Sequence, residues 1–314
     1  MFIKLAYKAK TEWWRYLIGV IIIFLGWQLF GFLPWLGLLV LEAGPQVFTL
    51  TQGEMMQVLD SNLTFFFLLL SFAVGLATLF FVVKFLHEQK IKDVTTSRKK
   101  VDWGRFFFGF SIVAVFSLVT TIVDYNMQPE DYLWNFKTVP FLILVAIALI
   151  MVPLQTSFEE YLFRGYLMQG IGVLAGNRWL PLVITSVIFG GMHIFNPEVE
   201  KLGYIIMAYY IGTGFLLGIM TLMDEGMELA LGFHAGNNLI GALLITADWT
   251  AFQTNSVLKD VSDPSAGWDI LVPLLVVYPV FLFLMARTYR WNNWKERIFG
   301  KVSPPQTINY PEEI

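Results

Sequence analysis

Apolar runs long enough to cross a membrane recur along the whole chain, and no soluble fold accommodates them. Each approaches or exceeds the ~20 residues that a helix needs to span a hydrocarbon core about 30 Å thick. They predict eight spans, near residues 17–40, 62–86, 105–125, 139–162, 179–195, 203–223, 228–246 and 268–286. A strand edge in lipid has no partner for its backbone, so the expected fold class is an all-α polytopic membrane protein. Composition agrees, because 56% of the 314 residues are hydrophobic and only 14% are charged, against about a quarter charged in soluble domains. The whole chain, 1–314, reads as a single membrane domain. Residues 1–15 and 302–314 ("VSPPQTINYPEEI") read as tails, the second of them flexible. The basic start followed by an apolar run has the layout of a signal peptide. That run is too long for an h-region and lacks a small-residue cleavage site, so it reads as a retained span.

The basic residues orient this bundle. Lys4, Lys8, Lys10 and Arg15 precede the first span; Lys84, Lys90, Lys92 and Arg98 through Arg105 flank the second loop; Arg287 to Lys301 follow the last span. The opposite loops hold little beyond Lys137, Lys201 and Lys259. The positive-inside rule therefore places both termini in the cytoplasm, and a bacterial cytoplasmic membrane is the expected location. One loop fits poorly, since "MDEGME" (223–228) belongs inside yet carries no positive charge. Trp13, Trp14, Trp103, Trp134, Trp179, Trp249 and Trp268 fall near span ends, where indoles favour the interface. Gly214 and Gly218 form a G-x-x-x-G pair, read as close helix packing. The chain has no cysteine, which removes disulfides and thiolate metal sites and leaves the redox compartment open. A net charge of −3 gives no sign of a nucleic-acid partner. The bilayer is the partner that the sequence requires, and it does not indicate an oligomeric state.

Against this background "FEEYLFRGYL" (158–167) stands out. A charge near the bilayer centre costs roughly 2.5–3.5 kcal/mol on insertion scales, and three charges fall within six residues here. Glu160 and Arg164 are four apart and share a helical face in the favourable acid-before-base order. Glu159 is turned by about 100° from Glu160, so it need not share that partner. Taken alone, the stretch also fits a helix end emerging into solvent. Two further sites weigh against that reading. "FGGMH" (189–193) places Phe189 and His193 four apart, and "HAGNN" (234–238) does the same for His234 and Asn238. The third histidine, His87, lies at a basic span end and reads as an interface residue. Two intramembrane histidines, a carboxylate and an amide are better explained by a shared polar cavity than by separate packing roles.

In order and spacing, these three motifs resemble those of the CPBP family, which includes the CAAX proteases and the bacteriocin-processing, Abi-type proteins. The family pattern is Glu-Glu-x-x-x-Arg, then Phe-x-x-x-His, then His-x-x-x-Asn or Asp on successive core helices. The match spans about residues 139–246, the motif-bearing core, and no motif position departs from it. The resemblance implies an intramembrane endopeptidase acting on a peptide or membrane-protein substrate. In it, Glu159 and His193 would activate water, His234 and Asn238 would stabilise the oxyanion, and Glu160 and Arg164 would brace the site. Glu159, His193 and His234 are also a possible zinc set, because two histidines and a glutamate hold catalytic zinc elsewhere. The metal-free route, with no cofactor, is the expectation. An H-E-x-x-H helix is absent. A non-catalytic immunity or scaffold protein of the same fold, and a proton- or cation-coupled transporter, are the competing readings. The motifs do not choose between trimming of CaaX proteins and bacteriocin maturation or self-immunity. Cleavage is expected near the cytoplasmic face, in a water-filled cavity whose mouth lies by the "MDEGME" loop. That location creates a conflict of depth, because His193 lies close to the loop placed outside. The conflict is relieved if the helix continues beyond Arg164 through 163–178.

Overall fold

The computed structural model describes residues 1–263, 267 and 270–305. Helix α1 (Trp13–Phe24) passes through a wide π-helical turn at Leu25–Gly31 into α2 (Leu33–Ala43). Helices α3 (Ser61–Phe81) and α4 (Trp103–Met127) follow. Next come α5 (Thr138–Glu160), a π-helical Tyr161–Leu167 and α6 (Met168–Ala175), which form one continuous 38-residue stretch. Helices α7 (Trp179–Gly191), α8 (Pro197–Leu202), α9 (Ile206–Asp224), α10 (Glu228–Leu244) and α11 (Tyr278–Tyr289) complete the set used here.

Five stretches are long and apolar enough to cross a membrane: Trp13–Thr49, Ser61–Leu86, Trp103–Met127, Thr138–Ala175 and Ile206–Asp224. Trp179–Gly191 and Pro273–Tyr289 are shorter apolar helices. The protein is an all-α membrane protein, as expected. Length and composition alone do not confirm the count of eight spans. The boundaries also move. The fourth run does not end at residue 162 but continues to Ala175, while the sixth starts at Ile206 after Gly203, whose φ of +76° breaks the helix. Trp268 lies outside the described residues.

Small residues bring the backbones together. A Cβ on Gly232 of α10 would stand 1.9 Å from the Phe106 carbonyl of α4, and one on Gly109 of α4 would stand 2.4 Å from the Leu229 carbonyl. Gly214 of α9 meets the Ser186 carbonyl of α7 in the same way, at 2.7 Å, which bears out the packing reading of the Gly214/Gly218 pair. Three short strands stand at one end of the bundle. β1 (Tyr132–Trp134) pairs antiparallel with β3 (Leu258–Asp260), and β2 (Ile245–Thr246) pairs parallel with β3.

The opposite, basic end corrects three expectations. Residues 1–15 are not a tail. Ile3–Lys8 form a 3₁₀-helix; its Ile3 and Leu5, with Phe2 just before it, are buried beside Met168, Leu182 and Leu222. Packing of its apolar residues outweighs the polarity that suggested a free end. His87 is not an interface residue either. It is 1% exposed, with Nδ1 at 2.7 Å from the Lys10 carbonyl and Nε2 at 2.9 Å from the Tyr166 hydroxyl. Residues 302–305 do not leave the body at once, because Val302 is buried and its N–H donates to the Gly176 carbonyl at 2.8 Å. The rest of that expected tail, 306–314, lies outside the described residues. The charge deficit of "MDEGME" is made good by neighbours, since Arg98 meets Asp224 at 2.7 Å and Glu228 at 2.9 Å. Glu225 is met by Arg178 at 3.1 Å.

Candidate active site

The 38-residue stretch resolves the conflict of depth. At about 1.5 Å per residue it is ~57 Å long, nearly twice a hydrocarbon core, so neither end marks the membrane boundary. Glu159 then sits ~32 Å from one end and ~24 Å from the other, near the middle. The helix does continue beyond Arg164, as the depth argument required.

Side chains from three helices meet there. Arg164 Nη1 donates to Glu160 Oε1 at 2.9 Å, and its Nη2 donates to the Gly214 carbonyl at 3.0 Å. Both residues are fully buried. The same Oε1 accepts a bond from His234 Nδ1 at 2.8 Å, while Glu160 Oε2 has no hydrogen-bond partner among the described residues. On its other side, His234 Nε2 lies 3.3 Å from Glu159 Oε2. Each ring nitrogen of His234 therefore faces a different carboxylate, which fixes the plane of the ring. Asn238 Nδ2 is 3.4 Å from His234 Nε2 and donates to Gln155 Oε1 at 3.0 Å.

Phe189 separates the parts of this cluster. The Arg164 guanidinium lies over its ring at 4.4 Å, a cation–π contact in a desolvated place. The ring centroids of His193 and His234 lie 5.1 and 6.0 Å from it. His193 follows the C-terminus of α7, and its Nδ1 is 2.9 Å from the Phe189 carbonyl. A carbonyl only accepts, so Nδ1 carries the proton in that bond and Nε2 is the nitrogen left over. The ring stacks on Tyr210 of α9 at 4.3 Å with a 20° tilt.

Glu159, His193, His234 and Asn238 line one cavity of about 720 Å³. Glu160 and Arg164 lie behind it. The cavity reaches toward Asn196, Glu198, Thr250 and Phe252, at the end away from the basic cluster. No residue of "MDEGME" lines it, so the mouth expected beside that loop is overturned. That loop is closed by the arginines of its neighbours instead. Three residues of this wall escaped the sequence reading. Gln155 is one turn before Glu159 and on its face, a spacing that was legible. Tyr210 and Glu198 carry no local signal, because only the fold brings them to the cavity.

The zinc set fares less well. Among the described residues no three His, Asp or Glu side chains are grouped as a metal site. His234 has Nδ1 committed to Glu160, and the Phe189 ring stands beside both histidines. As placed, Glu159, His193 and His234 do not converge on one point.

Residues 138–240 match the Rce1-like family, described as type II CAAX prenyl endopeptidase Rce1-like. A relative, the uncharacterized protein YyaK of Bacillus subtilis, is 30% identical over 195 residues. The alignment covers 62% of this chain and 65% of the relative, so the chain spans slightly less than two thirds of that protein's length. No solved structure matches. The matched segment contains all six motif side chains that build the cluster, and over that segment this chain is similar to the Rce1-like family.

Proposed function

We propose that the protein is an intramembrane endopeptidase that hydrolyses a peptide or membrane-protein substrate in the 720 Å³ cavity. One observation carries the reading. Glu159 contributes a carboxylate to the cavity wall whose one close polar partner among the described residues is His234, while the adjacent Glu160 is tied to Arg164 and buried behind it. The two neighbouring acids thus have separate tasks. Glu159 is the general base, taking a proton from the attacking water, and His193 Nε2 holds that water as an acceptor. His234 and Asn238 supply N–H donors to the oxyanion of the tetrahedral intermediate, where preorganised donors in a dry site stabilise by several kcal/mol. The proton on Glu159 then passes to the leaving amine. Glu160 and Arg164 hold His234 in place. In this reading the water is activated without a metal. The positive-inside rule puts the basic end in the cytoplasm, with the cavity opening toward the other face.

The test uses purified full-length protein in lipid and a library of internally quenched peptides. Cleavage by the wild type, lost in Glu159→Gln and His193→Ala and unaffected by a zinc chelator, is the expected result. Absence of cleavage of every peptide, with intact folding, would favour the immunity or scaffold reading.

A further inference from the structure

The cavity wall holds another acid besides Glu159. Glu198, in the short helix α8, lines the same cavity as His193 and Tyr210. Its Oε1 accepts the Ala251 backbone N–H at 2.9 Å, which pins the carboxylate to the loop after β2. Its Oε2 is buried and, among the described residues, has no hydrogen-bond partner. The basic residues at this end do not serve it. Lys201, three residues along the same helix, is paired with Asp263 at 2.7 Å, and Lys259 with Asp248 at 2.8 Å.

A buried carboxylate oxygen without a donor is destabilising until one arrives. The donors that bind it best are cationic, since charge-assisted bonds are about twice as strong as neutral ones. The surrounding wall suits a cation as well. Tyr209, Tyr210 and Phe252 line the cavity with Glu198, and aromatic faces attract ammonium and guanidinium groups. One carboxylate is a poor divalent-metal site, which normally needs several oxygen ligands. Burial raises the pKa of Glu198, opposed by the Ala251 N–H. A bound cation would favour the ionised form.

We propose that Glu198 anchors a cationic subsite of the cavity, receiving an ammonium or guanidinium group of the substrate peptide: a lysine or arginine side chain, or a free N-terminus. This rests on the peptidase reading for its occupant, though not for its geometry. Glu198 is a specificity residue here, since the reacting carbonyl belongs at Glu159.

Binding can be measured apart from cleavage. The full-length Glu159→Gln protein in lipid nanodiscs is titrated with fluorescein-labelled apolar decapeptides. In one series a single lysine is walked along the chain, each paired with a norleucine control, and a further pair differs only in N-terminal acetylation. The expected result is one position, or the free N-terminus, that binds roughly tenfold tighter than its neutral counterpart. Adding Glu198→Gln should cut that preference to below about twofold while leaving the norleucine peptide unchanged. No preference at any position, or a preference that survives Glu198→Gln, overturns the subsite. If that variant fails to fold, disulfide trapping in the cysteine-free chain decides. A Thr250→Cys protein should capture a peptide with cysteine beside the preferred lysine, and failure to capture it overturns the placement. Charge preference without hydrolysis by the wild type would sink the peptidase reading and leave the subsite standing. Hydrolysis with no charge preference would do the reverse.

Discussion

Two buried charge clusters in this protein use the same side chains to opposite ends. At the basic end, all four carboxylate oxygens of Asp224 and Glu228 are engaged. Asp224 accepts from Trp291 Nε1 at 3.1 Å and Arg98 at 2.7 Å; Glu228 accepts from the Asp102 N–H at 3.2 Å and Arg98 at 2.9 Å. In the middle of the bundle, among the described residues, Glu160 Oε2 has no hydrogen-bond partner and the close polar partner of Glu159 is His234. The carboxylates of the first cluster are saturated, and neither lines the 720 Å³ cavity. The second cluster is left short of partners where it borders that cavity. Burial of charge alone therefore does not mark a reactive site; unmet bonding capacity facing an enclosed space does.

The comparison breaks most visibly through exchange of the two acids. Glu159→Gln should lower peptide cleavage by about 10²–10⁴-fold, the usual contribution of a general base, with folded yield and thermal midpoint little changed. Glu228→Ala should do the opposite. It takes from Arg98 one of its two carboxylates and from the Asp102 N–H its acceptor, a cost of roughly 1–3 kcal/mol read as lost yield, while cleavage per folded molecule survives. Equal loss of yield in both variants would erase the distinction.

Arg164 joins the two categories, because it lies behind the cavity yet holds the residue that holds His234. Arg164→Ala should reduce yield and activity together, by roughly 3–5 kcal/mol in stability. Normal yield with activity gone would mean that the guanidinium acts directly on substrate. A smaller effect is expected at Gln155, which orients Asn238 from one turn before Glu159. Gln155→Leu should lower kcat by about a hundredfold with KM nearly constant, as for loss of one oxyanion donor.

The weakest effect belongs to His87, which anchors the N-terminal segment outside the spans. Burial lowers its pKa below the ordinary 6.5, against the opposing Lys10 carbonyl contact. The unfolded chain then binds more protons between the two values, so stability rises with pH in that window. Its contribution is complete above about pH 6.5 and declines as the pH falls toward the folded value. Thermal midpoints measured from pH 7.5 to 5.5 should fall, and less steeply in His87→Gln.

The three motifs were legible because each lies on one helix, where i,i+4 spacing fixes which side chains share a face. That is how Glu160 and Arg164 could be paired in advance. Contacts between helices were not legible in this way. His234 reaches both Glu159 and Glu160, and Tyr210 stacks on His193, only because α9 and α10 pack beside α5 and α7. The cavity mouth was misplaced for the same reason, since the charges that close "MDEGME" come from residues 98 and 178. Hydropathy also misjudged the N-terminus, where four buried apolar residues, Phe2, Ile3, Leu5 and Ala6, alternate with exposed or half-exposed ones too briefly to register.

The wide turn at Tyr161–Leu167 makes chain length itself a specification in this part of the molecule. A π-helical segment accommodates one residue more than an α-helix of the same rise. Winding the segment as α-helix with no residue removed would leave Gln155, Glu159 and Glu160 where they are. Everything after it would be turned by about 100° relative to those acids. Gln169, which now donates to the Phe2 and Asp93 carbonyls, would swing off its partners, as would Met168 in the cluster around Ile3. The phase of one turn thus locks the motif-bearing half of the longest helix to the half that holds the N-terminus. A single deletion within this segment is absorbed by loss of the wide turn, whereas one elsewhere in the helix shifts the whole lower body.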